Sequence, residues 1–259
     1  MHSRSFHSKY DTPRALPELE TEWLQLFASM RLNPGAYKIE AKNLAAPFLS
    51  TANDGYRPGT PGSIMVVGKA TSGKNTLGRA EVADEYDADT VKRRISEVIQ
   101  ESHEGKEHSV FMRFTRELSV AVAEGVGQIQ QQPYENLIWT NLAKIGVISG
   151  NPTGPYLQAQ MELAVETLAS EIAHYKPSIV VTTVHSFGYG PLRRAISELW
   201  ESGPHDSVGS WPSYWRHPAQ GGRPAILWTM HPERKKHAVL EAWKEVAIEL
   251  ASPSVPKVG

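Results

Sequence analysis

Four short apolar runs punctuate this chain, and each leads toward a polar residue capable of chemistry. Ile64-Met65-Val66-Val67 runs into Gly68-Lys69, Leu137-Ile138-Trp139-Thr140 into Asn141, Ile179-Val180-Val181-Thr182-Thr183 toward His185, and Ala225-Ile226-Leu227-Trp228-Thr229-Met230 into His231-Pro232. Runs of this length, separated by amphipathic stretches, predict buried parallel strands in an α/β sheet. Such sheets bind ligands in the crevice beyond the carboxyl ends of their strands, so Gly68, Lys69, Asn141 and His231 are expected to converge on one site.

The stretches between the runs carry helical spacing. Leu19, Trp23, Leu24, Leu26, Phe27 and Met30 predict a first helix, stopped by Asn33-Pro34-Gly35. Residues 51–62, rich in Asn, Asp, Gly and Pro, read as a connection into the first core strand. Val91, Ile95, Val98 and Ile99, then Phe111, Phe114, Leu118 and Val122, predict two helices with a charged break over residues 101–108. Met161, Leu163, Ala164, Thr167, Leu168, Glu171 and Ile172 predict a helix that ends before Pro177 and feeds the third strand. Residues 191–200 and 238–250 read as two more helices, with a long Gly/Pro/Ser/Trp/His loop over 203–222. Residues 1–17 are too polar to fold alone and read as an arm, residues 18–252 as a single domain and residues 253–259 as a tail.

A chain of 259 residues, 40% hydrophobic and 21% charged, is long enough for one sizeable core. It contains no cysteine, which excludes disulfides, thiolate-bound zinc and iron–sulfur clusters; no metal or other cofactor is expected. No signal-like start or long apolar run is present, so a cytoplasmic protein without a membrane partner is expected. With 27 Lys+Arg against 28 Asp+Glu, any polyanion would have to be held by a local basic face.

Gly68-Lys69-Ala70-Thr71-Ser72-Gly73-Lys74 fits a phosphate-cradling loop, but Asn75 stands where that loop needs a hydroxyl for Mg²⁺. None of the later strands ends in the acidic residue that would complete the metal's shell. A Gly-rich turn after a strand is the simpler reading, and the segment is not expected to support ATP hydrolysis.

Five segments in order, "SIMVVGKATSGKN", "FMRFTREL", "LIWTNLAKI", "EIAHYKPSIVVTTV" and "AILWTMHPERK", give the chain from about residue 63 to residue 250 a pattern that resembles the uracil-DNA glycosylase superfamily. The resemblance implies a three-layer α/β/α fold with a mainly parallel central sheet. It implies DNA as partner, with one nucleotide flipped into the pocket of a monomeric enzyme that excises a damaged or modified base in repair or defence. Asn141 would read the base edge, since its amide offers both a donor and an acceptor. His231 would place a donor on the departing base, where negative charge develops. Gly68, Lys69 and Ala70 would line the base pocket, with Phe111 beneath the base and Phe114 as the alternative ring. Arg234, Lys235 and Lys236, with Arg193 and Arg194, would grip phosphates.

The chain also departs from that pattern. Lys69 and Thr71 stand where an acid and a proline are expected, and a cation beside a developing sugar cation is unfavourable. Lys69 or Lys74 would then contact phosphate, or serve as an amine nucleophile if burial depresses its pKa. Asn75, Asp84 and Asp87 are the candidates for positioning water. Two other functions stay open: a relative that binds flipped bases without cleaving them, and a nucleotide-binding protein built on residues 68–74.

Overall fold

The computed structural model describes residues 13–53, 55–72, 87–103, 109–129, 134–148, 150–184, 206–208, 214–219 and 222–252. The expected helix at 191–200, together with His185, Arg193, Arg194, Lys74, Asn75 and Asp84, lies outside them. Among the described residues eight strands form one sheet: β1 (Leu44–Pro47), β2 (Thr51–Ala52), β3 (Ile64–Ser72), β4 (Leu137–Val147), β5 (Ile179–Thr182), β6 (Asp206–Val208), β7 (Tyr214–His217) and β8 (Ala225–Trp228). The strand order is β1-β4-β3-β5-β8-β7-β6, with β2 also paired to β4. The four apolar runs are its centre, β4-β3-β5-β8, all mutually parallel, and the edges are antiparallel. Residues from Ile64 to Val67, Ile179 to Val181 and Ala225 to Leu227 are at most 1% exposed, because helices cover both faces. The structure is thus an α/β protein with a mostly parallel central sheet flanked by helices.

The helices are α1 (Leu16–Leu32), α2 (Ala88–His103), α3 (Val110–Gly125), α4 (Gly154–Tyr175) and α5 (His237–Ala251). Helix α1 begins at Leu16, two residues inside the expected arm, because Pro17 is tolerated in a first turn whose N–H groups lack partners anyway. Leu19, Trp23, Phe27 and Met30 turn inward, and the Trp23 indole donates to Thr167 Oγ1 at 2.8 Å, tying α1 to α4. At the start of α2 the Asp87 carboxylate accepts from the Thr90 N–H at 2.7 Å; this candidate for positioning water is a helix cap. Helix α4 ends on Lys176 in the left-handed region (φ 48°), just before Pro177. No described helix is long and apolar enough to cross a membrane.

Three expectations need correction. Residues 68–72 are not a turn: β3 continues through Ser72, pairing Gly68 with Asn141, Ala70 with Ala143 and Ser72 with Val147. Asn141 likewise lies within a strand and not at its end, since β4 runs on to Val147. The 51–62 connection contains β2, and the 203–222 loop contains β6 and β7, strands too short for a two-residue alternation to register.

The long β4 carries a buried ion pair on the face covered by α4. The Lys144 ammonium donates to Glu171 at 2.5 Å and also to Thr140, whose hydroxyl reaches both Glu171 oxygens at 2.9 and 3.1 Å. Both charged side chains are 1% exposed. Burial pushes the Lys144 ammonium below its ordinary pKa, and the Glu171 carboxylate opposes that shift. Removing one partner strands the other charge in the core, so Lys144→Met alone should cost about 3–5 kcal/mol in urea unfolding. Lys144→Met with Glu171→Leu should recover most of that loss; equal destabilisation in the single and double variants would contradict the pairing.

Candidate active site

The central sheet changes length halfway across, and the candidate site sits at that step. Val67 of β3 pairs with Thr182, the last residue of β5, and Thr182 pairs with Trp228, the last residue of β8. Beyond this row β3 and β4 continue as a pair, so Gly68 and Asn141 stand above the ends of the two shorter strands. Because the strand order reverses direction about β3, these residues lie where an open α/β sheet ordinarily binds its ligand.

Gly68 is required by close approach, not by its backbone angles. An ideal Cβ at this position would lie 2.3 Å from Asn141 Oδ1 and 3.4 Å from Phe111 Cζ. The missing side chain lets the Asn141 carboxamide lie over β3, where it is 3% exposed. Phe111 reaches the same spot from the first turn of α3, whose start is fixed by Ser109 Oγ accepting from the Met112 N–H at 3.4 Å. Phe114 instead packs edge-on against Trp243, with centroids 6.0 Å apart, so only Phe111 of the two candidates meets the site.

His231 follows β8 and stacks on Phe111, with centroids 5.5 Å apart and planes 13° from parallel. Its Nδ1 accepts the Glu233 backbone N–H at 3.3 Å. Burial, then the positive charge of Lys69, pushes its pKa down to about 4; Glu233 opposes the shift and Lys235 adds to it. The Glu233 carboxylate lies 4.0 Å from Nδ1, too far to outweigh burial. His231 is therefore neutral near pH 7, and with Nδ1 occupied as an acceptor its proton is on Nε2. The imidazole offers a donor without a charge.

Trp139 belongs to the site although the sequence pattern marked it only as strand. Two residues before Asn141 on one strand, it shares that residue's face and bridges Phe48 (4.7 Å) and Phe111 (5.7 Å). Its indole N–H is buried and has no hydrogen-bond partner among the described residues. The alternation of β4 was the available signal.

Lys69 is half-buried, and burial pushes its amine below the ordinary lysine pKa, with Glu233 opposing and Lys235 reinforcing the shift. Ala70 pairs with Ala143 farther along β3 and is half-buried. Arg234, in the left-handed region at φ 61°, and Lys236 are exposed on the turn after His231, with Lys235 half-buried between them. The structure therefore brings Gly68, Asn141, Phe111, His231 and Lys69 together, with Arg234, Lys235 and Lys236 on the adjoining turn.

No protein-family model matches the chain, and no curated protein matches its sequence.

A methyl group at position 68 should force Asn141 aside. Gly68→Ala is expected to cost about 1–3 kcal/mol by overpacking. In an Asn141→Ala background, where the obstructing amide is gone, most of that cost should disappear. Additive losses in urea unfolding would mean that the two positions do not share the space.

Proposed function

We propose that this chain is a uracil-DNA glycosylase-like enzyme that flips a damaged or modified base out of DNA and cleaves its N-glycosidic bond. The observation that carries the reading is the grouping, at one step of a parallel sheet, of a carboxamide, an aromatic ring and a neutral imidazole. Each matches a demand of the reaction. The Asn141 amide supplies a donor and an acceptor for the edge of an unpaired base. The Phe111 ring supplies a face for stacking. The His231 Nε2–H donates to the carbonyl oxygen on which charge grows as the base leaves. The Arg234, Lys235 and Lys236 turn meets phosphates beside the site.

Two flat groups cannot share the Phe111 face that His231 now covers, because a base between parallel rings needs about 3.5 Å on each side. In this reading base entry turns the imidazole off Phe111 and brings Nε2 to the edge of the base. A second reading, a protein that holds flipped bases without cutting, draws on Lys69, which puts a cation where an acid would steady the sugar.

Oligonucleotides carrying deaminated, alkylated, oxidised or glycosylated bases, followed by alkali, separate the two. Excision yields abasic sites that alkali cuts; a non-cleaving binder shifts the DNA and leaves every base in place. For a base that is released, His231→Ala should slow single-turnover cleavage by about 10²–10³-fold with DNA affinity nearly unchanged. Asn141→Asp, which offers acceptors only, should change which base is accepted. Equal loss of binding and rate in His231→Ala would remove it from the chemical step.

A further inference from the structure

Lys69 differs from other lysines withdrawn from solvent. Lys144 is paired with Glu171, Lys92 with Glu20 at 2.5 Å, and Lys244 with Glu117 and Glu241 at 3.1 and 2.7 Å. Lys69 is half-buried and makes no hydrogen bond or ion pair among the described residues. It follows Gly68 on β3, past the last residue of β5, so it stands at the sheet step beside the candidate site. Its neighbours there are His231, which feels its charge, and Glu233 and Lys235, which act on it in opposite senses.

We propose that the Lys69 amine is a nucleophile toward C1′ of the flipped nucleotide, so that the protein also cuts the DNA strand at abasic sites. The inference rests on the base-excision reading for the identity of the pocket. It also resolves the conflict which that reading leaves: a lysine repels a free sugar cation, but an unprotonated amine can intercept the charge by bonding to the carbon that bears it. A depressed pKa raises the unprotonated fraction.

The Nζ lone pair bonds to C1′ as the C1′–N bond to the base breaks; the base leaves with that electron pair and takes the proton the amine gives up. The C1′–O4′ bond then opens with a proton from water, leaving an iminium between Nζ and C1′. The hydroxide so formed takes a C2′ proton and returns to water, a C2′–C3′ double bond forms, and the 3′ phosphate leaves with the C3′–O bonding pair. Water hydrolyses the iminium and restores Lys69. On a preformed abasic site the sequence starts from the C1′ aldehyde, with water lost as the iminium forms.

The test uses the full chain and a duplex carrying a preformed abasic site, with and without borohydride. Borohydride delivers hydride to the iminium carbon and fixes the adduct. Wild type should give a borohydride-dependent covalent adduct mapping to Lys69 by peptide mass spectrometry, and without borohydride should cut on the 3′ side of the site. Lys69→Arg keeps the cation and should keep DNA binding, yet lose adduct and strand cleavage. Lys69→Met should lose both as well. A phosphate-gripping lysine would be rescued by arginine. An adduct that persists in Lys69→Arg, or wild-type protein that leaves abasic sites intact until alkali is added, overturns the inference. Base release from the modified panel in that second case leaves the glycosylase reading standing. Conversely, a Lys69 adduct on abasic DNA with no base released from the panel would sink excision and keep the amine chemistry.

Discussion

Asn141 Oδ1 lies 2.3 Å from the point where a side chain on Gly68 would begin, so the carboxamide occupies space that only glycine leaves vacant. The parallel register between β3 and β4 sets this juxtaposition, and the apolar segments of the two strands hold the register. Everything else at the site is arranged around it. Phe111 closes over the same glycine, Trp139 supports Phe111 from β4, and His231 stacks on Phe111.

The opposite face of β4 makes that placement durable. Thr140 and Lys144 point away from the pocket toward Glu171 on α4, and their buried network fixes β4 against α4 at the level of Asn141. A charge pair sealed in the core adds little net stability over apolar packing, but it tolerates few alternative registers; here it would keep the carboxamide opposite position 68 and not one residue away. His231 depends on burial differently. The same desolvation that lowers its pKa to about 4 keeps it uncharged, so a donor is held beside Lys69 without two cations meeting.

The sheet centre was legible because strands covered on both faces read as unbroken apolar runs. Their ends were not. Lys69, Thr71 and Ser72 look like the start of a loop, and Lys144 looks like a surface residue, until Glu171 arrives 27 positions later along the chain. The convergence of Gly68, Asn141 and His231 followed from strand direction alone. The choice between Phe111 and Phe114 did not, because both fit one helical stripe; the tertiary arrangement separates them, sending Phe114 to Trp243. Trp139 was hidden by its place inside an apolar run, although its alternation with Asn141 on β4 pointed to the same face. The edge strands are too short to leave a pattern, and β1 is held by its antiparallel pairing with β4 instead.

The central claim is that a neutral His231, carrying its proton on Nε2, moves from Phe111 to a flipped base. Nitrogen-15 NMR of the imidazole reads both halves of that claim in the free protein and in complex with the tightest-binding base-modified duplex. The account predicts an Nε2–H tautomer that stays neutral until the pH approaches about 4. It also predicts ring-current shifts from Phe111 that vanish when the duplex binds. An imidazole that titrates at its ordinary value near 6.5 and keeps its shifts at saturating DNA would contradict it.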